Sequence, residues 1–251
     1  VWEFKMRKEL IVVEFSPTLK IPQPNIPELI RKALSQPVGY PELKRAVTPD
    51  DRLAIVLVDQ FNGFLEILVA VLEHLKGAGV AMENVTLVCL ACTNSESWVD
   101  NLPDAFDEIK IEVHNPDNKK SHAFLTSSDD IGKLYLNRTL IEADQIVVLG
   151  KRQYDPYFGI SGAEGDLFPA LANSEVISTC SKEVLGEDIN SDLGKKQALK
   201  VTWLLGAPYF VQVLEGSNGG VEEIFAGADE ANRFAEKKLD EIWKQDTLNT
   251  F

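Results

Sequence analysis

The clearest signal along the chain is a set of short apolar runs separated by longer amphipathic or polar stretches. Leu53 to Val58 reads LAIVLV, Val85 to Leu90 reads VTLVCL, and Gln145 to Leu149 reads QIVVL. Runs apolar on both faces belong to parallel strands covered by helices on each side. Between the first two lies FLEILVAVLEHLKGAG, and from Phe61 to Leu75 apolar residues occupy most of a helix circumference. Such a helix is either deeply buried or covered by a partner. A glycine of C-cap type ends it. Strand, helix and strand in succession predict a right-handed βαβ crossover.

The flanking segments extend this pattern. Leu10 to Phe15 is a β-type run, the proline-spaced Ile21 to Pro27 reads as an extended connector, and Ile26 to Leu34 is a short helix with Pro27 in its first turn. A helix candidate near Ser97 to Phe106 and an alternating strand at Ile109 to Val113 follow the second strand, and a short helix at Arg138 to Ala143 precedes the third. Val176 to Leu185 fits helix or strand. Ala198 to Leu205 and Tyr209 to Leu214 are β-rich, and the turn Ser217-Asn218-Gly219-Gly220 leads to Val221–Ala226, which predicts an antiparallel hairpin. An amphipathic helix from Asp229 to Lys244 sets Ala231, Phe234, Ala235, Leu239 and Ile242 on one side. The predicted fold class is α/β, a mainly parallel sheet flanked by helices with a C-terminal antiparallel strand addition, in a single domain over residues 1–251.

Composition narrows the function. With 251 residues, 45% apolar and 25% charged, the chain is an ordinary globular protein, but its net charge of −14 and pI near 4.7 argue against nucleic acid as a partner. Any anion site must be local. No apolar run approaches the roughly 20 residues of a membrane span, and the N-terminus lacks the order of a signal peptide, so a cytoplasmic protein without a membrane partner is expected. Three cysteines cannot make a disulfide framework.

In an open parallel sheet a ligand sits beyond the carboxyl ends of the strands. Those ends are Asp59, the stretch Ala91 to Asn94, and a glycine-punctuated loop, Gly150 to Ala172, that reads GKRQYDPYFGISGAEGDLFPALA. Gly159, Gly162 and Gly165 allow positive φ and close approach, Ser161 can cap a helix beginning just after it, and Lys151 with Arg152 place positive charge at the strand's end. N–H groups at a helix start suit a phosphate or carboxylate. The spacing G-x-x-G-x-x-G matches neither the dinucleotide fingerprint nor the P-loop. Asp59, Asp155, Glu164 and Asp166 are carboxylates that can hold a hard cation or share a proton, although aspartates are also common in turns, and no metal is expected. Tyr154, Tyr157 and Phe158 can line a pocket or pack the loop onto its sheet. Cys89 and Cys92 form C-x-x-C without a second pair and read as small buried residues. His74, His114 and His122 lack a metal-pair spacing and read as structural or surface groups.

Several stretches together resemble the N-terminal domain of lactate racemase and its relatives, the nickel-pincer-nucleotide enzymes. They are IRKALSQPVGYPEL, DDRLAIVLVDQ, LKGAGVAMENVTLV, NRTLIEADQIVVLG, YFGISGAEGDLFPALA and EEIFAGADEANRFA, in the family's order and spacing across most of the chain. The resemblance implies two-domain enzymes in which a nicotinic-acid-derived nucleotide, tethered to a lysine, carries nickel and takes hydride from the substrate's α-carbon while two histidines serve as acid and base. This chain keeps the strand-end aspartate as Asp59. The family's arginine is Asn62, the histidine after Thr93 is Asn94, the loop histidine is Asp155, and the tethering lysine is Gly165. Asparagine cannot move protons near neutrality, and losing a general base costs about 10²–10⁴ in rate.

The resemblance therefore implies a divergent member that binds a small anionic metabolite or nucleotide. Its expected ligand residues are Asp59, Asn62, Thr93, Asn94, Tyr154, Asp155, Tyr157, Gly159, Ser161, Gly162, Glu164 and Asp166. No nickel-pincer nucleotide and no racemase activity are expected, which makes the domain a pseudoenzyme; Asp155 is the weak candidate base for a changed reaction. The family's second domain is absent here, which leaves room for a separate second-domain polypeptide or a homo-oligomer. The alternatives are an assembly protein whose apolar helix Phe61 to Leu75 meets a partner, and an active hydroxy-acid or sugar-acid racemase or epimerase.

Overall fold

All five residues of Leu53–Leu57 are at most 1% exposed, and their side chains divide by parity. Leu53, Ile55 and Leu57 enter one apolar cluster and Ala54 and Val56 another, so this strand is the wall between two cores. The computed structural model describes residues 2–6, 9–13, 25–58, 60–91, 96–128, 132–155, 159–184, 191–206, 208–216 and 219–249.

In chain order the first elements are β1 (Trp2–Met6), β2 (Glu9–Val13), α1 (Ile26–Ser35), β3 (Leu53–Leu57), α2 (Phe64–Gly77), β4 (Val85–Cys89) and α3 (Glu96–Val99). Then come β5 (Lys110–Val113), β6 (His122–Ser128), β7 (Gly132–Asn137), α4 (Arg138–Glu142), β8 (Gln145–Lys151), β9 (Gln153–Asp155), β10 (Gly159–Ser161) and α5 (Ala163–Leu167). The chain closes with α6 (Ser174–Val184), α7 (Ser191–Leu204), β11 (Tyr209–Glu215), β12 (Val221–Gly227) and α8 (Asp229–Asn249). Six strands form the central sheet in the order β12-β11-β8-β3-β4-β5, parallel throughout except for β12, which runs antiparallel to β11. The expected α/β class, the parallel sheet and the antiparallel C-terminal addition are all present.

Two layers of helix cover the sheet. On one face Ile30 and Leu34 of α1 and Ile67, Leu68, Val71, Leu72 and Leu75 of α2 pack on β3, β4, β8 and β11. The apolar girth of α2 is thus taken up by α1 and the sheet, which withdraws those side chains from any partner. On the other face β7, α4, α5, α6 and α7 pack over Ala54, Val56, Val88, Ile146, Val148 and Phe210. Helix α8 lays Ala235, Leu239 and Ile242 on Leu214.

Local pattern misled at four places. Ala198 to Leu205 is not a strand but the end of α7: Ala198 and Val201 are buried, and the Thr202 hydroxyl donates to the Ala198 carbonyl at 2.9 Å, the back-bond of a helix. Spacing of three and four outweighs β propensity there. Ser97 to Phe106 holds only the single turn α3 and a 3₁₀ turn at Asp104–Phe106, after Pro103. Phe234 is 54% exposed, because contact with the sheet follows the Ala231, Ala235, Leu239 stripe and leaves Phe234 on its rim, 6.5 Å from the Phe225 ring. The polar stretch before Arg138 contains the antiparallel pair β6–β7, held down by Leu134 and Leu136.

The segment after α1 is fastened to the end of β12. Val38 N–H donates to Ala226 O at 2.8 Å and Ala228 N–H donates to Val38 O at 3.0 Å. Gly227 sits between them at φ 142°, where a Cβ would strike the Val38 carbonyl. Gly227→Ala therefore combines a disfavoured backbone with a backbone clash, and a loss of about 2 kcal/mol or more in chemical denaturation is expected.

Candidate functional site

Parallel register brings four strand ends side by side. Leu57 pairs with Cys89 and with Leu149, and Val213 pairs with Lys151, so the carboxyl ends of β4, β3, β8 and β11 form one edge. Of the expected ligand residues, Asp59, Thr93, Asn94 and Tyr157 lie outside the described residues, as does Cys92. Tyr154, Asp155, Gly159 and Ser161 are described by their backbone alone.

That backbone is not an open glycine loop. Asp155 stands opposite Gly159, Tyr154 opposite Ile160 and Gln153 opposite Ser161, a short antiparallel ribbon standing past β8. The residue at the N-cap of α5 is Gly162 rather than Ser161, and α5 has only five residues. Its first N–H, on Ala163, meets Gln212 Oε1 at 3.4 Å, and Gly165 N–H bonds Gly162 O at 2.8 Å. An anion cradle at a helix start is therefore not what this loop builds.

The two cations at the end of β8 are committed to carboxylates. Arg152 is 1% exposed and makes a two-pronged bond to Glu164, Nη1 to Oε1 at 2.6 Å and Nη2 to Oε2 at 2.9 Å. Gln212 on β11 donates to Glu164 Oε2 at 3.3 Å and to Asn232 Oδ1 at 2.6 Å, and Arg152 Nη2 reaches Asn232 O on α8 at 3.3 Å. Glu164, expected among the ligand carboxylates, is thus a buried structural anchor, 4% exposed. Gly162 serves this pair: its φ is −169°, ordinary extended backbone, and a Cβ there would lie 2.6 Å from the Arg152 guanidinium carbon. The role expected of it, positive φ, is replaced by room for a guanidinium.

At the outer edge Lys151 Nζ is 3.4 Å from Glu215 Oε2, and Glu215 Oε1 accepts from the Asn62 N–H at 3.0 Å. The Asn62 amide donates to Gly219 O at 3.0 Å, so this residue ties the β3–α2 loop to the β11–β12 turn. Asp166 packs against Gly150, at a spot where any Cβ on residue 150 would meet its carboxylate. Gly165 differs from all of these. Among the described residues, a Cβ built on it meets nothing within 4 Å.

A second cluster, invisible in the sequence spacing, lies at the carboxyl end of β5. The His114 N–H bonds Cys89 O at 2.8 Å, and His114 and His122, both buried, meet edge to face at 5.3 Å. His114 Nε2 faces Ala172 O at 3.0 Å, which fixes that nitrogen as the donor and leaves Nδ1 to accept from the Asn137 amide at 3.4 Å. The same amide donates to Glu112 Oε1 at 2.7 Å, and the Thr139 hydroxyl donates to Glu112 Oε2 at 2.5 Å. Eight residues separate the two histidines in sequence, so only the return of the β6 strand joins them. Burial holds the His114 imidazole below its ordinary range, and His122 adds to the shift. Among the described residues no group of three or more His, Cys, Asp or Glu side chains is placed to hold a metal ion.

The fold and this edge define a doubly covered parallel-sheet domain whose loops gather at the carboxyl ends of its strands. The profile of the lactate racemase N-terminal domain matches residues 1–191, and the chain belongs to that family. Among solved structures, the lactate racemase apoprotein from Thermoanaerobacterium thermosaccharolyticum superposes with a TM-score of 0.75 at 17% identity, covering 96% of this chain and 62% of that one. A protein from Thermotoga maritima gives 0.70 at 15% identity, covering 89% and 60%. The chain thus spans about three-fifths of the length of both. No curated protein matches it in sequence. The nickel nucleotide that the resemblance implies does not fit the residues here: Gly165 has no amine, and the Lys151 amine is bound to Glu215.

Three variants probe this end of the sheet. Arg152→Met alone leaves Glu164 as a buried unpaired charge and is expected to cost about 3–5 kcal/mol, whereas Arg152→Met with Glu164→Leu recovers much of that loss in urea unfolding. The depressed pKa of His114 means that the unfolded chain takes up its proton first as pH falls. Its share of stability is complete above the ordinary histidine pKa and declines as pH drops through the folded value; His114→Gln flattens that decline in urea midpoints across the range.

Proposed function

We propose that this domain is a divergent lactate-racemase-type module that binds a small anionic metabolite or nucleotide along the carboxyl edge of β3, β4 and β8, without a lysine-tethered nickel cofactor and without racemisation. The observation that carries this is Gly165: the position where the resemblance puts the tether has neither amine nor side chain, and no described residue lies within 4 Å of a Cβ built there. Around that space the family scaffold is intact, with Gly162 and Gly150 drawing α5 close against β8. Lys151 supplies the cation, exchanging its contact with Glu215 for the ligand's charge. Asp59 follows β3 in the chain and Thr93 and Asn94 follow β4, which makes them the next side chains to test, and Asp155 is the group to examine if a reaction occurs.

Intact mass and metal analysis of the native protein test the cofactor half: the bare polypeptide mass without nickel is expected, and a nucleotide adduct overturns it. A thermal-shift series of hydroxy acids, sugar acids and nucleotides tests the ligand half. A ligand at a hundred times its dissociation constant adds about 2.7 kcal/mol, a rise of several degrees. Silence across the series sinks the binding reading, as does an unchanged response in Lys151→Ala. Gly165→Lys is expected to fold and to gain about 0.5–1 kcal/mol, since it fills open space and removes a helical glycine; a loss of stability would show that the space is not open.

A further inference from the structure

Helix α2 starts beyond the carboxyl end of β3 and must return to the start of the parallel strand β4, so its last turn lies at the opposite end of the sheet from the candidate site. There α1, the Leu43–Arg45 turn and the end of α2 enclose an open groove of about 600 Å³. Glu28, Arg31, Lys32 and Ser35, one face of α1 at helical spacing, form one wall, and Glu42, Lys44 and His74 complete it. In a chain of net charge −14 this groove carries three fixed cations and two carboxylates. One of the two, Glu42, is already held by Lys44 at 2.6 Å and lies 3.8 Å from Arg45. The His74 Nε2 atom is buried and has no hydrogen-bond partner among the described residues.

We propose that this groove is a second ligand site, in which Arg31, Lys32 and Lys44 bind the phosphate or carboxylate group of a small anion and His74 takes up a proton as the anion enters. An orphaned ring nitrogen costs free energy unless a partner reaches it. An anion in the groove supplies a negative field that favours the imidazolium. In the free protein burial holds the His74 imidazole below its ordinary range, Lys44 adds to the shift and Glu42 opposes it. Glu42 and Lys44 come from the 3₁₀ turn, Glu28, Arg31 and Lys32 from α1, and Glu73 and Lys76 flank His74 on α2. The residues one turn away on α2, Ala70, Val71, Gly77 and Ala78, are uncharged. The site is independent of the carboxyl edge.

Calorimetry with sulfate, a tetrahedral dianion that does not titrate in this range, near pH 6 and near pH 8, each in two buffers of different ionisation enthalpy, is the test. Saturable binding that tightens toward the lower pH, with proton uptake, is expected. Arg31→Gln with Lys32→Gln changes two exposed side chains and is expected to weaken it about tenfold or more. His74→Gln keeps binding at the higher pH and removes the pH dependence and the proton uptake. Lys151→Ala leaves it untouched, which separates this site from the other. Absence of saturable binding, or binding unchanged in the double variant, overturns the proposal; binding without proton uptake overturns the part given to His74.

Discussion

A guanidinium and a carboxylate, buried together, hold this structure's working end in shape. Arg152 directly follows β8, Glu164 lies in α5, Gln212 comes from β11 and Asn232 from α8, so one polar network joins the end of β8 to three other elements. Removing two charges from water is costly, and only paired, well-aligned partners offset it. The network therefore tolerates one arrangement of α5 against the sheet. Gly150 and Gly162 make that arrangement reachable, because a side chain on either would collide with α5 or with the guanidinium.

The sheet beneath supplies the register. Each of β3 and β8 is buried on both faces, so a slip of one residue would move every side chain to the wrong core. With register fixed, the carboxyl ends of four strands come level, and the loops beyond them have to gather along one edge. The Asn62–Glu215–Lys151 contacts close that edge on the β11 side.

In the free protein the charge at the edge is balanced locally. Both cations of β8 face carboxylates, one in the core and one in the outer rim. The fold is shared with structures of very low sequence identity, and in this chain it rests on apolar parity, close backbone approach and one buried ion pair.

The order and class of the main elements were legible in the chain because runs such as LAIVLV and QIVVL state their own burial. The α1 and α2 helices and the C-terminal hairpin obey the same local rule. Ala198 to Leu205 was misread because β-branched residues obscured a helical spacing that shows only when Ala198 and Val201 meet the second core. In the site, the sequence marked the loop but not its use: Lys151, Arg152 and Glu164 look alike as charged letters. Tertiary structure alone decided which carboxylate each cation meets, and it also joined His114 to His122. The reason is physical: periodicity records how a side chain faces its own core, whereas the pairing of buried charges depends on which distant strands and helices register brings within a few ångströms.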